Sequence, residues 1–318
     1  MEKLLIFREK VNSFINKRNL ILRVFGKFLA ATIVIWYLND LLGYSSFLRQ
    51  PSIAVASAII CVFIPFSYSY VVFGVLCVLH LINVSMDVTL LFVSAMLLFY
   101  IIYNRNFMKY GYLSVLTVVL LPTRLSALVP IFVGVFSGPL GIPPMLMGII
   151  IYFFSTTLDR AILEMTKSAD SQQLYQMVLE SLMDNKEMIL YLLCFVITAL
   201  VAGRLYRTKI NYAWNVAIPV AGVVNALIYL YGSFLMEIES SIAGTIVSCI
   251  LSIIILEIFQ FFRCVIDYSR VENLQFEDDE YYYYVKAVPK MTVSEEDINV
   301  KKINVRRKSL IRRREKKE

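Results

Sequence analysis

Charged residues are scarce in this chain. They make up 17% of its 318 residues, whereas a soluble domain carries about 25%, and this scarcity excludes an ordinary soluble globular protein. Histidine is scarcer still, because His80 is the only one. A single histidine cannot build a multi-histidine zinc or haem centre. The five cysteines include no CxxC pair, so neither a zinc site nor a redox pair is indicated.

Sequence patterns that carry catalysis are also missing. The chain contains no GxSxG, Walker A, HExxH or GxGxxG pattern. We therefore predict a non-enzymatic protein without a metal or a cofactor. A lipid-modifying membrane enzyme is the alternative, and it requires a carboxylate and a polar partner that converge near Glu257 or Asp40.

Apolar sequence is abundant, with 58% hydrophobic residues and a mean hydropathy of +0.68. This excludes disorder for most of the chain, because disordered chains have low hydrophobicity. We predict an all-α, polytopic integral membrane bundle of eight to ten transmembrane or re-entrant helices. A helix needs about 20 apolar residues to cross a bilayer core of ~30 Å, so the shorter segments are candidates for re-entrant helices or half-helices. The apolar segments are Phe28–Tyr44, Ser52–Pro65, Ser69–Asn83, Met86–Tyr103, Gly111–Pro122, Leu125–Phe136, Met145–Thr157, Met188–Gly203, Tyr212–Leu235 and Ile242–Phe262.

The distribution of basic residues predicts the orientation, because cytoplasmic segments carry an excess of Lys and Arg. Residues 1–27 hold seven basic residues against two Glu, and they are predicted to form an amphipathic helix on the cytoplasmic surface. The basic turns after the fourth and eighth segments are also cytoplasmic. The linker 158–187 holds three basic and six acidic residues, which fits the outer face.

Ten crossings satisfy all of these assignments and place both termini in the cytoplasm. The orientation survives if Gly111–Pro122 and Leu125–Phe136 form a re-entrant pair, because two crossings then disappear together. It does not survive if the two segments merge into one kinked helix, because the acidic linker then moves inside. The charge distribution therefore disfavours a merged helix.

The chain thus divides into five parts. These are a basic amphipathic N-terminal helix (1–27), a first membrane block with short helices (28–157), an acidic extracytoplasmic linker helix (158–187), a second membrane block of three helices (188–262) and a cytoplasmic tail (263–318).

The linker is predicted to contain a helix, because Asp170 and Gln173 make a capping pair before an apolar stripe. This stripe either packs on the rest of the protein or forms a lid or an external partner site. Its members are Leu174, Met177, Val178 and Leu182.

The tail joins an acidic, tyrosine-rich segment to a basic C-terminal segment. Tyrosines and β-branched residues favour an extended strand, which Pro289 is expected to end. Residues 298–318 hold ten Lys or Arg against two Glu. This basic segment predicts binding to anionic lipids of the inner face rather than to nucleic acid. The alternative is that it serves only as a signal that orients the protein in the membrane. The candidate partner-binding residues of the tail are Phe276, Tyr281, Tyr282, Tyr283 and Tyr284.

Charged residues inside apolar segments are candidates for function, because they cost about 2.5–3.5 kcal/mol on insertion scales at a helix centre. Arg124 lies between two short segments. At the tip of a re-entrant hairpin it could bind an anionic substrate, whereas in an outer loop it is a surface residue. Glu257 has either a buried ion-pair or proton role or a position near the inner interface. His80 is a hydrogen-bonded packing residue or, as the alternative, a proton relay.

Glycine and proline break the sequence between the sixth and seventh segments. A broken helix in a membrane must be buried or line a watery cavity, and such breaks mark substrate sites in many transporters. The alternative is a tight cytoplasmic turn between two short spans. The candidate pathway residues in this block are Gly138, Pro139, Gly141 and Pro143.

The segment from Gln275 to Lys290, QFEDDEYYYYVKAVPK, comes just after the last span. It resembles the tail of an uncharacterised multipass membrane protein family of anaerobic Gram-positive bacteria. The block Gly134–Gly148 before Tyr152 is similar to the same family. The resemblance implies a location in the bacterial cytoplasmic membrane, and it implies no substrate.

Two functions remain after these exclusions. The first is a permease-like or transporter-associated membrane subunit whose pathway uses the Gly138–Pro144 region, with Arg124 recruiting an anionic group. The second is a membrane scaffold or sensor that acts on a protein partner through residues 275–318. A polar cavity that reaches the bilayer midplane favours the first, and a dry helix bundle favours the second.

Overall fold

The computed structural model describes residues 2–165, 178, 180–208, 213–263, 272–277 and 282–287. They belong to two compact units, Phe14–Arg263 and a smaller one made of Met1–Ser13 and Cys264–Glu318. The capping pair and two of the four stripe residues predicted for the linker, Leu174 and Met177, lie outside the described residues, and so do Tyr281 and residues 298–318.

The described residues are mainly helical, and each apolar segment of the sequence forms a helix. The fold is therefore an all-α bundle, as predicted. The helices are α1 (Glu2–Lys17), α2 (Asn19–Leu41), α3 (Pro51–Phe63), α4 (Ser69–Leu81), α5 (Met86–Asn106), α6 (Gly111–Leu120), α7 (Leu128–Phe132), α8 (Ile142–Met165), α9 (Lys186–Tyr206), α10 (Ala213–Leu235) and α11 (Ile242–Arg263).

Five apolar stretches are long enough to cross a membrane: Asn19–Leu41, Pro139–Leu158, Lys186–Tyr206, Asn215–Leu235 and Ile242–Arg263. Helices α3, α4, α6 and α7 are shorter, and of α5 the stretch Met86–Ile101 counts as a shorter apolar helix. This combination is the architecture of a multi-spanning membrane protein that also contains helices too short to span the bilayer alone.

Helices α6 and α7 form a hairpin. The start of α6 and the end of α7 lie close together, because the side chains of Leu113 and Val133 both approach Gly141. Helix α6 has ten residues, which corresponds to about 15 Å, half of a bilayer core. The two segments are therefore separate helices and not one kinked helix, in agreement with the charge analysis.

Gly138 ends the second arm of this hairpin. Helix α7 continues into a π-helical turn, Val133–Ser137, and the amide of Gly138 donates to the carbonyl oxygen of Val133 at 2.8 Å. Gly138 has φ 68° and ψ −163°, a conformation that glycine adopts far more readily than other residues. A short 3₁₀ turn, Pro139–Gly141, then leads into α8.

One end of the larger unit, which we call the basic end, holds Arg207, from a turn assigned to the inner side by charge, and Arg263 at the end of α11. A Cβ atom built on Gly138 lies 2.8 Å from the Arg207 guanidinium, and the Arg263 guanidinium lies 4.6 Å from the Phe136 ring centroid. At the same end, Lys27 donates to the carbonyl oxygen of Ile64 at 3.4 Å.

His80 is a hydrogen-bonded packing residue in the last turn of α4. Its side chain is 2% exposed, and its Nδ1 accepts the backbone N–H of Ser45 at 3.3 Å. The proton is therefore on Nε2, which donates to Oδ1 of Asn39 at 3.0 Å. Asn39 in turn donates to the carbonyl oxygen of Leu48 at 3.2 Å. Both ring nitrogens are engaged, in agreement with the packing interpretation.

The described part of the smaller unit contains a β-hairpin. Strands β1 (Glu272–Glu277) and β2 (Tyr282–Ala287) are antiparallel, with a register that runs from Glu272↔Ala287 to Glu277↔Tyr282. The extended segment predicted at the tyrosines is confirmed by β2. The pairing strand β1 was not expected from the sequence.

Candidate functional site

A polar cavity of about 340 Å³ opens beside the tip of the α6–α7 hairpin. Its walls come from that tip, from α8, from the N-terminal halves of α9 and α11, and from the middle of α10. This volume falls within the range of about 300–1,000 Å³ that is usual for small-molecule sites. We call it the polar cavity.

The polar cavity reaches the middle of the long helices. Phe195 lies nine residues after the first residue of α9, and Asn225 lies ten residues before the last residue of α10; both line the cavity. At 1.5 Å per residue, these positions are about 14–15 Å from the helix ends. Because helices of this length match a bilayer core of about 30 Å, the cavity floor lies near the middle of two span-length helices.

Arg124 lies in the wall of this cavity at the hairpin tip. Two residues further on, the Ser126 hydroxyl is 3.3 Å from the Ser248 hydroxyl. Ser248 is six residues into α11, or about 9 Å below its first residue. The loop at the hairpin tip therefore packs beside the first two turns of α11, and Arg124 in this loop is exposed and lines the cavity.

Asn225 organises the floor of the polar cavity. It is 5% exposed, and its side-chain amide donates to the Cys194 sulfur at 3.3 Å and to the Thr198 hydroxyl at 3.2 Å. The Cys249 thiol donates to Oδ1 of Asn225 at 3.7 Å. One amide thus connects α9, α10 and α11, as polar side chains do between membrane helices.

One wall of the cavity is aromatic. The Tyr191 ring lies 5.1 Å from the Tyr229 ring and 5.7 Å from the Phe195 ring, measured between centroids. Tyr152 lines the cavity from α8. Such faces attract cations through the ring quadrupole.

Glu187 brings a negative charge to the same cavity, in the first turn of α9. Glu187 and Arg124 are both exposed, and within the described ranges neither makes an ion pair. Arg160 lies within electrostatic reach of Glu187, from an adjoining cavity of about 430 Å³ that shares Tyr152 and Glu187 with the polar cavity.

An apolar cluster, which we call the apolar plug, lies between the cavity floor and the basic end. It consists of Ile131, Ile218 and Leu256, which are at most 2% exposed. Polar groups flank the plug along α11: for the Ser252 hydroxyl and Oε1 of Glu257, both buried, the described residues provide no hydrogen-bond partner. The described part of α11 therefore carries buried polar groups before and after Leu256 of the plug.

The candidate residues predicted from the sequence are not brought together. Arg124 lines the polar cavity, whereas Glu257 and Asp40 do not. The glycine–proline candidates follow α7 at the basic end, where Gly138 meets Arg207. This placement matches the alternative of a turn between two helices. The residues in question are Gly138, Pro139, Gly141 and Pro143.

Several residues of the cavity were missed by the sequence analysis. Glu187 counted only as one acid of the linker, and Tyr191, Tyr229 and Asn225 were not singled out. Asn225 offered a usable signal, since it is a polar residue in the middle of an apolar segment. The tyrosines offered none, because tyrosine is common in this chain, with 20 residues.

Comparison with known proteins leaves the site to be interpreted from its own geometry. No protein-family model, curated protein or solved structure matches this chain. The resemblance of the tail to a bacterial membrane family stays a prediction.

Proposed function

We propose that this protein is a non-enzymatic, permease-like or transporter-associated subunit of a bacterial cytoplasmic membrane. The observation that supports the proposal is the polar cavity, whose floor at Asn225 lies near the middle of span-length helices, the depth expected for a bilayer midplane. Polar groups at this depth are costly, and in membrane proteins they mark solute and ion pathways.

The arrangement around the cavity supports a one-sided opening. The cavity is open beside Arg124, and the apolar plug separates it from the basic end. A site that reaches the midplane and is closed on one side is what alternating access requires. By the positive-inside rule, the basic end is cytoplasmic and the cavity opens outward, with both termini in the cytoplasm.

Thiol labelling of α11 tests whether the cavity is wet. In intact cells, Ser248→Cys is expected to react with an impermeant, charged methanethiosulfonate reagent, because Ser248 lines the polar cavity. Ile250→Cys is the matched control, since Ile250 is 51% exposed on the same helix at nearly the same depth and does not line the cavity. Charged reagents attack thiolates only where water is present.

The expected result is labelling of Ser248→Cys well above the native background and no increase for Ile250→Cys. Among the described cysteines, Cys77, Cys194 and Cys249 are buried and Cys61 is half-buried, and the unsubstituted protein measures the background of the native thiols. Equal, background-level reactivity of the two variants indicates a dry bundle and rejects the permease proposal. Labelling only in inverted vesicles reverses the proposed orientation.

A second candidate function, a scaffold or sensor, is favoured by the β-hairpin in the tail. An ordered hairpin after the last helix offers a protein partner a defined surface. In this function residues 275–318 bind the protein partner, and residues 298–318 also bind anionic lipids of the inner face.

Removal of residues 275–318 separates the two functions. For a permease, the truncated protein is expected to give the same labelling of Ser248→Cys as the full chain, because the cavity lies entirely within Phe14–Arg263. The measurement is the labelling rate in intact cells, with full-length Ser248→Cys as the control. A large loss of labelling at unchanged expression would mean that the tail controls the membrane block, as a sensor requires.

A further inference from the structure

Two unlike charges share the polar cavity, and they suggest its ligand. We propose that the cavity binds a small zwitterionic solute, with the anionic group of the solute at Arg124 and its cationic group at Glu187 and the aromatic wall. This inference rests on the proposed function and names the substrate class of the same site.

The anionic group is recognised by Arg124. Its side chain lines the cavity at the hairpin tip, and among the described residues it makes no ion pair. A guanidinium offers two parallel N–H donors that match a carboxylate, and such bidentate pairs are among the strongest hydrogen bonds. The tip also contributes the Ser126 hydroxyl, which lines the cavity beside Ser248.

The cationic group is recognised by a cluster around Glu187. Tyr152, Tyr191 and Tyr229 all lie within electrostatic reach of the Glu187 carboxylate. All four side chains line the polar cavity. A carboxylate combined with aromatic faces is the combination that binds ammonium groups, and quaternary ones above all.

Both charges together select against simpler ions. A plain anion placed at Arg124 is repelled by Glu187, and a plain cation placed at Glu187 is repelled by Arg124. A zwitterion pairs with both residues and adds no net charge to a recess where charge is costly. Arg160 reaches Glu187 from the adjoining cavity, where it also faces Asp184, and it makes no ion pair with Glu187 within the described residues.

The test compares glycine betaine with two analogues that each lack one charge. 3,3-Dimethylbutyrate replaces the quaternary nitrogen by carbon, and choline replaces the carboxylate by a hydroxymethyl group. L-Leucine, N-acetyl-L-leucine and L-leucinamide form a second series. Calorimetry on the purified full-length protein is expected to give at least about tenfold tighter binding of a zwitterion than of either of its analogues.

Each substitution that removes one charge should abolish one of the two preferences for the zwitterion. Arg124→Gln is expected to abolish the preference for the zwitterion over the cationic analogue. Glu187→Gln should abolish the preference over the anionic analogue. Arg49→Gln and Glu239→Gln are matched controls, since both residues are exposed and outside the polar cavity, and they should leave both preferences unchanged.

The outcomes distinguish this inference from the proposed function. If an analogue binds as tightly as its parent zwitterion, or if no zwitterion binds while Ser248→Cys is still labelled, the zwitterion is rejected and the permease proposal stands. If short-chain phosphatidylcholine binds and both solutes fail, the cavity takes a lipid headgroup and the solute is rejected. If Ser248→Cys is not labelled, the proposed function itself fails.

Discussion

Gly134→Leu is expected to prevent correct folding of the membrane block. A Cβ atom at position 134 would collide with the backbone oxygen of Ala199 and lie 2.6 Å from the Ala202 side chain. Backbone atoms cannot rotate away, so α7 and α9 would have to separate where their small residues allow close approach. Overpacking of this kind costs about 1–3 kcal/mol or more, a large part of a typical stability of about 5–15 kcal/mol.

The measurement is thermal unfolding in detergent, together with the fraction that elutes as a single species from a sizing column. Gly26→Leu is the matched control, because nothing lies within 4 Å of a Cβ atom built on Gly26 of α2. It should unfold at the wild-type temperature. A Gly134→Leu protein that melts within about two degrees of the wild type, roughly 0.5–1 kcal/mol for a chain of this size, would contradict the close crossing.

Asn225→Leu is expected to abolish solute uptake while the protein still folds. Leucine has a similar size, but it removes the amide that joins Cys194 and Thr198 to the cavity floor. Interhelical hydrogen bonds in membranes contribute about 0.6 kcal/mol on average, so the loss of stability should be about 1 kcal/mol. Function depends on the polar floor, and uptake should fall by at least about tenfold.

Uptake is measured in proteoliposomes with labelled glycine betaine or L-leucine, whichever binds the wild type. Asn215→Leu is the control, since Asn215 is exposed in the first turn of α10 and outside the polar cavity. It should retain wild-type uptake. Equal uptake by Asn225→Leu and the wild type would mean that the solute does not contact the floor.

Much of the fold follows from hydropathy and charge. Each of the predicted apolar segments forms a helix, because an apolar run in a membrane has to satisfy its backbone hydrogen bonds internally. The turn with Arg207 and the last residue of α11, Arg263, lie together at the basic end. Two separate crossings, a re-entrant pair and one merged helix were the alternatives for α6 and α7, since short apolar segments do not reveal their depth.

The site was predictable only in part. Arg124 was identified from its charge between two short segments, and it lines the polar cavity. Glu187 lies 63 positions later in the chain, and no local pattern connects the two residues. The glycine–proline block was a candidate because it breaks a helix, but it lies at the basic end, away from Arg124.

The sequence by itself determined the class of the protein, the helices and the grouping of the basic turns. These properties depend on local composition, because apolar runs partition into lipid and basic residues stay at one side. The tertiary structure decided where the hairpin tip packs on α11, the polar floor at Asn225 and the placement of Arg124 and Glu187 on one cavity. These depend on how helices from distant parts of the chain pack, and small residues such as Gly134 set how closely they approach.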